Sequence, residues 1–524
     1  MEKRLFVKVF KVGVILSAFL LLIGIYVEAK NKPLNVVLII CDDLNRLGSG
    51  VDEEKYISDI KTPNIDKFAK HSSVFTRAYA NIALCSPSRA SLFTGVSPVH
   101  SQFLSNEVWW KNPTLSEAGT IMDVFRASGY RVIGTGKIMH HFRPREWDEY
   151  GFQEDYGPMP WDGRSRVAHK SIPKPFCDEG PIEGSFGAID RSENSKLEYE
   201  WVCRSSGVNQ PFIYESNNER DKTPDEKNAL WAKNKLKELG GKKKEPFFMA
   251  VGFVRPHTPL HVPRHWFDLY DSNSISLPTF LDEDSADTFL AKQFDKIPKG
   301  FYRYRQLISS YNNKDEALRA WIHAYLASVS AVDECIGIVI DALKSEGLWD
   351  DTIIIVTSDH GYQLGQKDFL FKNALWEESM RIPLLIRVPN LSKENMYIDS
   401  PVSLIDIFPT LVDICELKYD QKVNIIRAGS SLKNLIDPSA RDELNRKAIG
   451  VVNSDKLDHS EEFIERQHWT IRTDRWRYIR YSNGSEELYD HDKDPNEWNN
   501  LAQLQNYKVP LNMIAEELDK ALHK

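Results

Sequence analysis

Asn35-Val36-Val37-Leu38-Ile39-Ile40, with the Cys41-Asp42-Asp43 that follows, decides the architecture of this chain. A run so apolar and so rich in β-branched residues reads as a strand buried on both faces, the pattern of a parallel sheet with helices on each side. It stops at two adjacent carboxylates. The carboxyl ends of strands in open α/β sheets are where ligands sit; two acids there repel each other, and they either lie in a solvated turn or are reconciled by a hard divalent cation. Three further stretches repeat the arrangement. Tyr130 to Gly134 runs into Thr135-Gly136-Lys137-Ile138-Met139-His140, Pro246 to Phe253 into Arg255-Pro256-His257-Thr258-Pro259, and Asp351 to Val356 into Thr357-Ser358-Asp359-His360-Gly361. Taken singly, Lys137, His140 or His257 reads as a surface residue or a strand-end cap. Four apolar strands that each end in acids, histidines or a lysine point to one chemically active edge of one sheet.

Between the first two of these strands lies Cys85-Ser86-Pro87-Ser88-Arg89, continued by Ala90-Ser91-Leu92-Phe93-Thr94-Gly95. The proline and the run after it read as a helix start, so Cys85 faces free backbone N–H groups and the positive end of a helix dipole. A thiol, hydroxyls and an arginine in one short turn suit an anion or a nucleophile. The plainer reading is a helix cap beside a buried cysteine.

These residues resemble the signature of the type I sulfatases, Cys-x-Pro-Ser-Arg followed by four residues and Thr-Gly, matched at Cys85, Pro87, Ser88, Arg89, Thr94 and Gly95. The resemblance implies an α/β, alkaline-phosphatase-like fold: a mixed, mostly parallel sheet flanked by helices, with a small C-terminal α+β subdomain. It also implies that Cys85 is oxidised to formylglycine by a maturation enzyme. One hydroxyl of the hydrated aldehyde then attacks the sulfur of a sulfate ester, and the other expels sulfate by elimination. Asp42, Asp43, Asp359 and His360, with the oxygen of the Cys85 derivative, match metal ligands, and Ca²⁺ is the expected ion. Lys137 and Lys372 match sulfate-binding lysines, His140 a histidine beside the diol and Arg89 its electrostatic support. The stretch from Arg255 through Pro256-His257-Thr258-Pro259 to Trp266-Phe267-Asp268-Leu269-Tyr270 resembles the iduronate-2-sulfatase branch, which makes His257 a sulfate contact and the acid for the leaving oxygen. His360 stands where many relatives have asparagine, and Gln366-Lys367-Asp368 departs from the Gly-x-His type often found before Lys372. The substrate expected from this branch is a sulfated saccharide of a uronic-acid-containing polysaccharide, of glycosaminoglycan or ulvan type. A phosphate or phosphonate ester hydrolase of the same fold and an inactive sulfated-glycan-binding protein are the rival readings.

A chain of 524 residues holds one large domain and a smaller one, and a net charge of -8 argues against nucleic acid as a partner. Residues 1–29, basic at Lys3, Arg4, Lys8 and Lys11, then apolar to Val27 and closed by Ala29, read as a secretory signal peptide, with a retained membrane anchor as the alternative; the apolar run is near the lower limit for spanning a bilayer. The mature protein is then periplasmic or secreted, with no stable membrane insertion. Residues 30–454 read as the catalytic domain and 455–524 as an antiparallel subdomain, with a hairpin at Asn483-Gly484 and a closing helix from about Leu511. Ala448 to Val452 reads as the last strand of the large sheet. Thr114 to Ser128 reads as one amphipathic helix closed by Gly129, and Leu318 to Ser345 as a long one. The polar stretch from Arg143 to about Glu245 reads as loops over the sheet, where specificity resides. Among six cysteines, Cys41, Cys335 and Cys415 read as core residues, and Cys177 and Cys203 form the candidate disulfide pair.

Overall fold

Alternate side chains of a strand face opposite ways, and the strand Asn35–Asp42 uses both directions: Val37, Ile39 and Cys41 enter one hydrophobic core, Val36, Leu38 and Ile40 another. The structure is a computed structural model that describes residues 33–46, 59–191, 200–205, 207–241, 245–291, 297–419, 427–440, 445–454 and 462–523. The leader read at 1–29 lies outside these residues. Among the described residues, no helix is long and apolar enough to cross a membrane.

An eight-stranded sheet runs in the order Met396–Ile398, Ser73–Phe75, Leu384–Arg387, Thr352–Ser358, Asn35–Asp42, Phe247–Pro256, Arg131–Gly136, Glu149–Gln153. The four strands read from the sequence are adjacent and mutually parallel, with Val36 beside Phe248 and Ile353, and Phe248 beside Val132. Their carboxyl ends therefore share one edge. Leu384–Arg387 runs antiparallel to Thr352–Ser358, which makes the sheet mixed. Helices Lys314–Ser345, Pro224–Gly240 and Pro63–Ala69 cover one face; Cys85–Thr94, Ile121–Ala127 and Ile407–Ile414 cover the other.

Several expectations need correction. Thr114 to Ser128 is two helices, Pro113–Ala118 and Ile121–Ala127, because Gly119 adopts φ 68° and Thr120 opens a capping box with Asp123. The long helix starts earlier than Leu318, at Lys314, where the Asn313 side chain accepts from the Glu316 N–H at 2.9 Å. The stretch from Arg143 contains more than loops: Glu149–Gln153 is the edge strand of the sheet, and a capping box at Thr223 and Glu226 opens the 17-residue helix Pro224–Gly240. Cys177 and Cys203 are both free thiols. Cys203 is buried on the strand Trp201–Ser205, whereas the Cys177 sulfur lies 3.7 Å from Asp178 in a short 3₁₀ turn. Ala448–Val452 does not join the large sheet. It pairs antiparallel with His468–Arg472, Ile449 opposite Ile471, as the first strand of a four-stranded sheet completed by Trp476–Arg480 and Glu486–Asp490.

Helix Lys508–Leu522 closes that small sheet by burying Leu511, Ile514, Leu518 and Leu522, the 3–4 spacing of one helical face. The large sheet's domain is tied to it by buried charge. Arg477, fully buried, ion-pairs with Glu377 and Glu497 and donates to the Leu375 carbonyl at 3.0 Å. Trp376 between these residues donates its indole N–H to Glu487 at 2.9 Å. Removing one member of a buried ion network strands its partners without solvent. Arg477→Ala is therefore expected to cost about 3–5 kcal/mol in urea unfolding and to loosen the segment that carries Lys372; an unchanged midpoint would refute the tie.

Candidate active site

Two neighbouring residues of a regular strand point to opposite faces, yet the side chains of Asp42 and Asp43 meet in one cluster with His257. The register of the strand breaks between Ile40 and Asp42, and Asp43 takes the left-handed conformation, φ 63°. Such a conformation is uncommon outside glycine and is held where surrounding structure enforces it. Here Tyr325 of the long helix donates its hydroxyl to the Asp43 carbonyl at 2.8 Å, and Ser358 Oγ accepts from the Leu44 N–H at 3.0 Å. Sequence patterning does not single out either residue, since each looks like an ordinary core position.

Each acid of the edge has a cation. Lys137 Nζ bonds Asp42, Lys372 Nζ lies 2.9 Å from Asp43 Oδ1, and Arg89 Nε lies 2.7 Å from Asp359 Oδ2, all buried. Burial would push the Asp42 carboxyl up, but Lys137, His257, Lys372 and Arg89 outweigh it and hold the group well below the ordinary carboxylate range. At Asp43 burial prevails and the carboxyl is raised. Lys137 reaches this position because Gly136 turns the chain at φ 82°, where a Cβ would lie 1.9 Å from the Gly252 carbonyl oxygen.

Cys85 is the first residue of the helix Cys85–Thr94, every residue of which is buried. Its sulfur lies 3.1 Å from Lys372 Nζ and 3.3 Å from His360 Nε2. Ser88 Oγ donates to the Asp359 carbonyl at 2.5 Å, while Arg89 donates to Asp359, Lys137 and Ile138. Arg89 thus joins three of the segments at the edge from behind. The imidazoles complete the arrangement. His257 Nδ1 faces the Thr258 carbonyl, which fixes its proton there and turns Nε2 toward Asp43, 3.7 Å from Oδ2. Burial, then the charges of Lys372 for His257 and Lys137 for His140, lower both histidines, His140 to about 3. Both are neutral at pH 7.

Asp42, Cys85, Asp359 and His360 offer ligand atoms within 4.8 Å of one another, and Asp42, Asp43 and His257 form an overlapping group. Asp42 Oδ1 and Asp43 Oδ2 are buried with no hydrogen-bond partner. Orphaned carboxylate oxygens in a site with a histidine nitrogen fit a divalent cation. The edge therefore collects Asp42, Asp43, Cys85, Arg89, Lys137, His257, Asp359, His360 and Lys372. His140, whose Nδ1 also lacks a partner, stands within the field of Lys137 and Asp42. Lys367, where the sequence departs from its relatives, is a buried tie to Asp284 at 2.9 Å. One residue was not legible in advance: Tyr156, whose ring centroid lies 4.9 Å from Lys137 Nζ and 5.1 Å from that of His257. It sits in a polar stretch without periodicity.

The chain is similar to known proteins over most of its length. A family model described as Sulfatase matches residues 34–417, and one described as N-sulphoglucosamine sulphohydrolase, C-terminal, matches 365–524. A sulfatase of Formosa agariphila is 30% identical over 94% of this chain and 87% of its own length. An ulvan-active sulfatase of the same organism is 26% identical over 95% and 83%. Mouse iduronate 2-sulfatase is 28% identical over 69% and 60%. A protein solved in complex with D-glucosamine-2-N,6-O-disulfate shares the fold, with a TM-score of 0.65 at 21% identity over 94% of this chain and 98% of that one. The fold is the alkaline-phosphatase-like one, with its C-terminal subdomain.

Proposed function

The chain belongs to the sulfatase family and is a sulfuric ester hydrolase, and we propose that its substrate is a sulfated saccharide from a uronic-acid-containing polysaccharide, cleaved through a formylglycine made from Cys85. The observation that carries this reading is the pairing of the Cys85 sulfur with Lys372 and His360 at 3.1 and 3.3 Å, inside a buried cage of acids and cations. The saccharide rests on the ulvan-active and iduronate relatives. The protein is exported, and a formylglycine-generating enzyme acts on it before it is active.

Asp42, Asp43, Asp359 and His360 would hold Ca²⁺, which would supply positive charge to a sulfate ester, and a formylglycine at residue 85 would supply the nucleophilic hydroxyl. The chain's own side chains do the rest. Lys137 and Lys372 turn their ammonium groups to the sulfate oxygens. Arg89, bonded to Asp359 and to the carbonyls after Gly136, fixes the acids and Lys137 relative to residue 85. His257 is the acid for the departing sugar oxygen: its resting proton is on Nδ1, so Nε2 first takes up a proton when the ester binds and then passes it to that oxygen, while His140 takes one from the remaining hydroxyl at residue 85.

The test is sulfate release by natively matured protein from glycosaminoglycan and ulvan oligosaccharides, with a phosphonate monoester beside them. Release from one sulfated saccharide class is expected. Hydrolysis of the phosphonate alone, in protein whose Cys85 peptide has the mass of formylglycine, would overturn the reading.

A further inference from the structure

Tyr156 has no part in the steps above, yet it touches two of the groups that perform them. Its ring lies against the Lys137 ammonium and, with planes inclined at 67°, against the His257 imidazole. Cys85, Asp42 and Lys137 are buried, whereas Tyr156 is half-buried. It therefore stands between the charged floor and solvent, beside the His257 ring.

The backbone around Tyr156 is built to hold that position. Arg255, buried, donates from Nη2 to the carbonyls of Tyr156 at 3.1 Å and Gly157 at 3.0 Å, from Nη1 to that of His257 at 3.1 Å, and from Nε to that of His261 at 3.2 Å. One guanidinium thus fixes the main chain of both rings, although they lie about a hundred residues apart in sequence. Asp155 adds a second restraint by accepting from the N–H groups of Gly157 at 2.8 Å and Arg204 at 2.9 Å. At Gly157 a Cβ would come within 2.9 Å of Cys203 Cα, so the chain passes where only glycine fits. This is a costly amount of buried polar structure for an aromatic residue that is itself only half-buried.

We propose that Tyr156 contacts the alcohol half of the ester, its ring forming the wall on which the leaving sugar packs, and that Arg255 is the positioning residue that sets this wall against His257. An aromatic face suits the C–H face of a sugar ring. A wall that runs from the sulfate-binding Lys137 to His257 meets the leaving group with the part of its face nearer His257, and there it selects among saccharides. The inference rests on the saccharide reading of the site.

The experiment compares natively matured wild type, Tyr156→Ala, Tyr156→Leu and Tyr156→Phe on the sulfated oligosaccharide that wild type cleaves, measuring KM, kcat, inhibition by inorganic sulfate, and melting temperature. Tyr156→Ala is expected to raise KM about tenfold with a smaller change in kcat, and inhibition by inorganic sulfate is expected to weaken by no more than about twofold, because sulfate meets the ring only through Lys137 and makes none of the leaving sugar's contacts. Tyr156→Phe, which keeps the ring, recovers most of the loss. Tyr156→Leu fills the volume without an aromatic face and should behave as Ala does, so a poorly folded Ala variant leaves the question answerable. An unchanged KM in the Ala or Leu variant overturns the proposal. So does weakening of sulfate inhibition in step with KM, since the ring would then act only through Lys137. Wild type that carries converted Cys85 but releases no sulfate from any saccharide instead overturns the saccharide reading itself, and the wall with it.

Discussion

Cys85→Ala is expected to abolish sulfate release, by a factor on the order of 10⁴ or more, while leaving the protein folded. The two halves of this result have separate physical grounds. Alanine keeps Cβ but lacks the thiol through which that carbon is converted to an aldehyde, so no hydroxyl is presented to sulfur, and the remaining cations and histidines bind the ester without a nucleophile. The fold should survive because little depends on the sulfur. Cys85 opens a helix whose Ser88 N–H bonds the Leu84 carbonyl and whose far end is capped at Gly95, and alanine is a good helix former there. Lys372 keeps Asp43 and His360 keeps the Gly361 carbonyl when the sulfur is gone. Sulfate release by ion chromatography and a melting curve measure both halves. The mass of the residue-85 peptide in wild type should show CH₂SH replaced by CHO. Release at an undiminished rate by the alanine variant would sink the assignment of the nucleophile.

The four central strands were legible because a strand covered on both faces has no polar positions, and such a run stands out whatever surrounds it. That the strand ends bring charged side chains to one edge was also legible, since Asp42-Asp43, Lys137, His257 and Asp359-His360 each follow directly. Other features depended on information that no local stretch contains. Ala448–Val452 is as apolar as a strand of the large sheet; only its pairing with His468–Arg472 assigns it to the small one. The helix Cys85–Thr94 is buried all round and carries serines and an arginine, so it has no amphipathic face to recognise, and only its motif revealed it. Tyr156 was hidden for a further reason: its importance comes from Arg255 and His257, which meet it through the fold. The helix Pro224–Gly240, in contrast, was marked by Thr223-Pro224-Asp225-Glu226, a complete capping box in a stretch read as loops.

Removal of the cation is expected to abolish activity and to weaken binding of inorganic sulfate at least about tenfold, and sulfate should tighten cation binding by the same factor. The reason lies in the charge balance of the buried edge. Asp42, Asp43 and Asp359 are matched one to one by Lys137, Lys372 and Arg89, so the lysines that would hold sulfate are engaged by the carboxylates that would hold the cation. A dianion alone must pull both ammonium groups from their acids and leave unpaired carboxylates in a place without solvent, which is costly. A divalent cation alone frees two buried ammonium groups with nothing to face. Entering together, the two ligands exchange both lysine–carboxylate pairs for new ones and add no net charge, so each should favour the other, and linkage makes the effect reciprocal. Calorimetry on Cys85→Ala, with and without calcium, reads this directly because no turnover intervenes. Sulfate affinity equal in strong chelator and in calcium would show that Lys137 and Lys372 do not exchange partners, and would require the sulfate to lie elsewhere on the edge.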